Sequence, residues 1–408
     1  MKIIVISDSI PDTSHGGGGV TVAAIIKSLQ TFKAKVDMLA IDRLTKIPRD
    51  KSQNILKTYL LPFKILRNLF SENMSFPEIT TSQHEREEAS SIIKAGKYDC
   101  IVCYHWKAID LVRNIQDISI VGLVGDPFDL PGRMRLLCGK KPQNFIETCR
   151  RFFMSSLILL KYRKAWQRML HLLNRCTVSG AFAAHHALEF QTGGAPGCYY
   201  VRTPISGTIL KTKRLKNKKF VLVHVGHFLG TATLSGVELL CDEILPCLDK
   251  RIGIDRFQLN MIGGSADKIP YRLQEKLTFF GAKLLGKKAL IGPELMAADV
   301  VIVPTPIYLG IRVRICTALA YGCCVVTHIA NTAGIPELMD FENCLVAKDG
   351  NDFCNKIIEI YKNPRLKKKL QKGAFETHQN YFSLSRAGRA IYGLCEKAAA
   401  RDSRVAAN

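Results

Sequence analysis

The chain has 408 residues, 47% of them hydrophobic and 23% charged, with a formal net charge of +23. That length exceeds what one hydrophobic core usually serves, so two domains of roughly 180–200 residues each are expected. The composition excludes a disordered chain, and the charge calls for a polyanionic partner: nucleic acid, an anionic membrane surface or a phosphate-bearing substrate.

KIIVIS (2–7) is a continuous apolar run suited to a central parallel strand. Four glycines, Gly16–Gly19, separate it from VTVAAIIKSLQ, whose apolar spacing is helical, and KVDMLAI (35–41) is a strand again. A β-loop-α-β opening starts a doubly wound sheet. YDCIVCYH (98–105) and SIVGLVGD (119–126) are further strands ending in polar residues, where such a sheet presents its ligands. Residues 133–175 carry eleven Lys/Arg against the single acid Glu147, around the apolar run FFMSSLILL (152–160). Along a helix this segment suits either an anionic headgroup layer or a core helix with a solvated cationic face. After GGAPG (193–197) and TPISG (203–207), the polar basic LKTKRLKNKK (210–219) has the composition of a linker.

The rhythm then restarts. FVLVHVGHF (220–228), FQLNMIGG (257–264), DVVIVPT (299–305) and CCVVTH (323–328) are strands, LSGVELLCDEILPCL (234–248) is an amphipathic helix, and residues 314–322 form a short one. Helices over 351–372 and 383–399 close the chain. The expected architecture is α/β, two Rossmann-like β/α/β domains facing one cleft. The expected bounds are 1–208 for the first domain, 209–380 for the second, and 381–408 for a helix that crosses back to the first.

Fourteen cysteines are scattered, many in strand-like runs, without the paired spacings of zinc sites. The one C-x-x-C, Cys100–Cys103, alternates as a buried strand does, where thiols act as small hydrophobes. Many thiols fit a reducing compartment. No stretch approaches the roughly 20 apolar residues that span a bilayer. The expected location is cytoplasmic, at most peripheral on the inner face of a membrane.

Candidate site residues follow from position. Gly17 and Gly18, between strand and helix, bring backbone N–H groups near a phosphate or simply make a flexible turn. His105 ends a strand at the sheet edge, a ligand contact or a structural histidine. Asp126 orients an acceptor hydroxyl or, the preferred reading, caps a turn. Arg312 and Arg314 interrupt the apolar run PIYLGIRVRICTALAYG beside Gly310, where solvated charge is unexpected and a diphosphate would meet two guanidinium forks.

Four stretches then carry a resemblance. HVGHFLGTATLSGVELLCDEILPCL, FQLNMIGG, AADVVIVPT and GIRVRICTALAYGCCVVTHIANTAGIPEL match, in order, the C-terminal domain of a GT-B glycosyltransferase of the family-4, retaining group-1 type. The last resembles its G-x-R-x-K-x-x-E-A-x-A-x-G-x-P-V-V-x-T signature. The resemblance implies a nucleoside-diphosphate sugar as co-substrate, bound by Gly17, Gly18, Gly226, Gly310, Arg312, Arg314 and Thr317. It also implies transfer to a glycan or lipid-linked acceptor with retention, His105, Arg312 and Arg314 acting in catalysis, and no metal. The chain departs from the family where the ribose-binding glutamate falls on Thr317, the signature proline on Cys324 and its lysine on Arg314. The early Arg/Lys pair for the diphosphate is missing from GHFLGTATLSG. A carboxylate makes charge-assisted bonds of about 1.5–3 kcal/mol each and a threonine one neutral bond near 1 kcal/mol, so the exchange weakens nucleotide binding by at most roughly 10- to 100-fold. Two alternatives stay open: a degenerate relative that binds without turnover, and a basic membrane- or nucleic-acid-associated binding protein. The second lacks the aromatic interleaving of nucleic-acid platforms.

Overall fold

A computed structural model describes residues 1–11, 17–43, 76, 79–130, 134, 144–207 and 219–405. Gly16 and most of the basic segment 210–219 lie outside the described residues. Two six-stranded sheets form the frame, and every strand pair in both is parallel.

The first sheet contains β1 (Lys2–Ser7), β2 (Lys35–Ala40), β3 (Cys100–Tyr104), β4 (Ser119–Val124), β5 (Val178–Ala181) and β6 (Cys198–Tyr200), in the order β2-β1-β3-β4-β5-β6. Its centre is apolar on both faces: all residues of β3 and β4 are buried, as strands covered by helices on both sides require. Cys100 and Cys103 are buried within β3. Helices α1 (Gly17–Thr31), α2 (Gln83–Gly96), α3 (Trp106–Leu111), α4 (Phe145–Arg175) and α5 (Ala184–Gly193) belong to this half. Helix α2 begins at a complete capping box, Ser82 accepting from the Glu85 N–H while Glu85 reaches back to Ser82.

The second sheet holds β7 (Phe220–Val225), β8 (Phe257–Ile262), β9 (Lys283–Leu284), β10 (Val300–Val303), β11 (Val325–His328) and β12 (Leu345–Ala347), in the order β12-β11-β10-β7-β8-β9. Helices α6 (Thr231–Leu239), α7 (Leu245–Ile252), α8 (Tyr271–Phe279), α9 (Gly292–Ala297), α10 (Val313–Ala320), α11 (Gly350–Lys362) and α12 (Pro364–Thr377) accompany it. The helix expected over 234–248 is interrupted by a π-turn at Leu240–Ile244. The helix expected over 351–372 is two, because Pro364 has no N–H to continue α11 and instead starts α12.

Helix α13 (Leu384–Val405) runs back over the first sheet. Its Ile391, Leu394, Cys395 and Ala398 join the core of β1, β3 and β4, and Ser119 donates to the Ala398 carbonyl at 2.8 Å.

Both strand orders contain a point where the chain reverses direction across the sheet. In the first it lies between β1 and β3, in the second between β7 and β10. Crevices beyond the carboxyl ends of such strand pairs are where open parallel sheets bind ligands. The candidate site is built from these two crevices.

Candidate functional site

The crevice of the first sheet is a cavity lined by Asp8, Ser9 and Thr21 beside β1, by Tyr104, His105 and Lys107 beside β3, and by Gly125 and Asp126 after β4. Ile311 and Val313 of the second half close its far wall. His105 stands where strand turns into helix, and its backbone adopts φ 71°, ψ 170°. That region is essentially reserved for glycine and costs a side-chain-bearing residue about 1–3 kcal/mol. The ring lies over Gly125, where a Cβ would come within 2.8 Å of the imidazole Cε1. Burial pushes the imidazole below its ordinary pKa, while Asp8 and Asp126 pull the other way. His105 is thus a strained, desolvated imidazole in the wall of the cavity.

The crevice of the second sheet is spanned by one side chain. Arg314 donates from Nη1 to the Val225 carbonyl at 2.6 Å and from Nη2 to Thr305 Oγ1 at 2.8 Å, tying the ends of β7 and β10 together. Gly226 makes this possible: a Cβ there would lie 2.6 Å from Arg314 Nη1. The Nε–H is fully enclosed and meets no acceptor. Among the described residues no carboxylate faces this guanidinium, and the nearest charge acting on it is Arg312, of the same sign. Burial first and Arg312 second pull its pKa down to about 9. An enclosed cation with donors to spare and no counter-ion is destabilising by itself, and it suits an anion supplied from outside. Nearby, burial drops His224 to about 3, so this histidine is neutral and adds no second charge.

Arg312 sits at the start of α10 and reaches across the cleft, Nη2 lying 3.6 Å from Asp126 Oδ2. Gly310 permits that closeness, since a Cβ there would come within 1.6 Å of Asp126 Oδ1. Asp126 also lies 3.9 Å from His186 Nδ1. The carboxylate preferred above as a turn cap therefore bridges the two halves, because the second sheet brings a guanidinium to it. Leu130, just beyond, packs with Ala232, Ile307 and Leu309 of the second half.

Asp126 competes with any phosphate for Arg312. Asp126→Asn is expected to tighten nucleoside diphosphate binding by roughly 2- to 5-fold, the worth of a partly exposed ion pair. Calorimetric titration of both proteins checks this, and weaker binding in the variant would sink the competition argument.

The remaining predicted residues are placed as follows. Thr317 lies on α10 with its hydroxyl donating back to the Val313 carbonyl at 2.9 Å. Its oxygen can still accept, but the single proton is committed. Gly17 and Gly18 open α1 and are not among the cavity-lining residues; Ser9 and Thr21 line that edge instead. The structure thus joins Asp126, Gly310 and Arg312 directly, places His105 in the same cavity wall as Asp126, and links Gly226 with Arg314. Sequence reasoning passed over Asp8, Thr305 and Gly125. Their only signal is position, within the first two residues after β1, β10 and β4. Among the described residues no group of three or more His, Cys, Asp or Glu is placed to hold a metal ion.

Comparison with known proteins now decides the type of fold. Residues 219–363 match the model of the family described as Glycosyl transferases group 1. That stretch is similar to the family, and the chain as a whole has the GT-B fold. Sucrose-phosphate synthase from Thermosynechococcus elongatus is 16% identical at a TM-score of 0.67, covering 97% of this chain and 98% of that one. Anabaena HepE in complex with UDP is 16% identical at 0.66, with 97% and 100% covered. A variant of S. aureus TarM solved with UDP and alpha-GlcNAc-glycerol is 11% identical at 0.65, with 97% and 99% covered. No curated protein sequence matches. In GT-B terms, Arg314 and Arg312 stand at the second sheet's crevice and His105 at the first, facing one another across the cleft.

Proposed function

We propose that this protein transfers a hexose-type unit from a nucleoside-diphosphate sugar to a glycan or lipid-linked acceptor, with retention of anomeric configuration, in the assembly of a polysaccharide or glycolipid. The observation that carries the reading is Arg314, a half-buried guanidinium at the crevice of the second sheet whose Nε–H is enclosed and which has no carboxylate partner among the described residues. A diphosphate supplies the missing charge, and Arg312 supplies a second fork once it leaves Asp126.

The reaction needs little else from the chain. As the bond from the anomeric carbon to the diphosphate oxygen breaks, charge grows on that oxygen, where Arg312 and Arg314 stabilise it. The acceptor oxygen bonds to the same face of the anomeric carbon, and its proton leaves with the departing phosphate. Retention rests on the family resemblance. His105, kept neutral by burial, hydrogen-bonds a hydroxyl of the sugar at the cavity wall. Cationic side chains take the place of a metal in neutralising the diphosphate. The thiol-rich composition supports a cytoplasmic enzyme.

A second reading, binding without turnover, is favoured by Thr317, whose hydroxyl proton is spent on Val313. Both readings predict donor binding, and only the first predicts product. The test is a thermal-shift titration against UDP, GDP, ADP and dTDP, free and as sugar conjugates, with UDP first because HepE was solved with UDP-glucose. A ligand at 100 times its dissociation constant is expected to add about 2.7 kcal/mol of stability. The shift should vanish when Arg312 and Arg314 are both replaced by alanine. A shift with no sugar transferred to water or acceptor selects the second reading; no shift at millimolar ligand removes both.

A further inference from the structure

Helix α4 has two dissimilar halves. From Ala165 onward it is anchored: Ala165, Met169, Leu172 and Leu173 are buried in the first core, Trp166 stacks on Phe190 at 5.2 Å, and Arg168 pairs with the buried Asp110. The half before Ala165 turns large apolar side chains outward. Phe145 is 80% exposed, Phe152 76%, Leu159 67% and Phe153 54%.

These four make a stripe. Phe145, Phe152 and Leu159 recur every seven residues, which on an α-helix drifts by only about 20° per repeat, and Phe153 flanks Phe152. Single exposed hydrophobes are ordinary, but an aligned row marks an interaction surface. The charge of the same element says what it meets. The sequence of α4 holds seven Lys/Arg and one acid, Glu147, and the exposed Arg163 follows the stripe directly. No helix among the described residues is long and apolar enough to cross a membrane. An apolar row on so basic a helix fits the plane of an anionic bilayer surface.

We infer that the half of α4 before Ala165 docks on an anionic lipid surface, with Phe145, Phe152, Phe153 and Leu159 in the headgroup layer. The anchored half packs on α3, the helix that His105 begins. The docked face therefore adjoins the acceptor side of the cleft. This deepens the proposed function, on which it rests only for the acceptor's identity: the acceptor is one held in the bilayer.

The test is sedimentation of the full chain with phosphatidylcholine vesicles, pure or with roughly one-third phosphatidylglycerol. Wild type is expected to bind the anionic vesicles at least about tenfold more strongly than the neutral ones, and to lose that binding in high salt. Phe152→Ser with Leu159→Ser should lower binding by at least about tenfold with an unchanged unfolding midpoint, because both side chains are exposed. Equal binding to both vesicles, no binding, or an unaltered double variant overturns the inference. So does light scattering that finds a wild-type dimer which the double variant dissociates, since the stripe then meets a second copy. Vesicle binding needs no nucleotide, so failure here and failure of the donor titration are separate results.

Discussion

Arg314→Met is expected to weaken nucleoside diphosphate binding by about 100-fold while leaving the unfolding free energy of the unliganded protein little changed. The loss of about 2.7 kcal/mol of binding corresponds to one or two charge-assisted hydrogen bonds. The stability term is a near balance. Methionine leaves the Val225 carbonyl and Thr305 without a donor, at about 1–3 kcal/mol for a buried group. It also removes a largely desolvated cation that faces no carboxylate among the described residues, a relief of similar size. A purely structural arginine predicts the reverse: a large drop in stability with binding untouched. Calorimetric titration and urea unfolding on the same two proteins separate the cases.

The same residue sets a pH dependence with a definite sign. Burial and Arg312 hold the folded pKa of Arg314 at about 9, below the unfolded value, so from pH 9 upward the native state binds fewer protons than the unfolded one. Its contribution to the stability of the unliganded protein therefore rises with pH across that window. A bound diphosphate raises the pKa again. Affinity should consequently fall as pH rises through about 9, with proton uptake on binding near that pH. Arg314→Met, lacking the group, is the control that subtracts lysine, tyrosine and cysteine titration.

The second large effect concerns His105. His105→Gly is expected to be more stable than His105→Ala by roughly 1–3 kcal/mol. At an ordinary position the order is the opposite, because glycine loses more conformational freedom on folding. Both variants lose the ring and its packing over Gly125, so their difference isolates the strain at φ 71°. Sugar transfer or donor hydrolysis should fall in both by roughly 5- to 100-fold, the worth of one hydrogen bond from the imidazole to the sugar in the transition state. Denaturant unfolding with a donor-hydrolysis assay reads both quantities. Alanine matching or exceeding glycine in stability would show that the backbone there is relaxed and held for no purpose of the ring.

The frame was legible because the strands at its centre are short and almost wholly apolar. KIIVIS, CIVCY, SIVGLV and VVIV carry no alternation, so only a sheet covered on both faces accommodates them. Arg312 and Arg314 were legible for the matching reason: charge inside an apolar run needs a partner wherever it folds. The break at Leu240–Ile244 was less so, since a π-turn alters hydrogen bonding without altering the apolar spacing.

Which group faces which across the cleft was outside the reach of local pattern. Asp126 and Arg312 stand 186 positions apart in the chain, and only the approach of the two sheets makes them a pair. Nothing near Asp126 distinguishes a capping carboxylate from a bridging one, because the partner comes from the other half. Thr317 shows the converse. Its identity was plain from the signature, but the commitment of its hydroxyl to Val313 depends on a rotamer. Sequence by itself determined the kind of fold, the presence of two arginines inside an apolar run and the large excess of positive charge. Tertiary structure alone decided that Arg314 meets no carboxylate among the described residues, that His105 is strained over Gly125, and that the apolar row of α4 faces outward. Each of these is a relation between residues distant in the chain, fixed by packing rather than by any local preference.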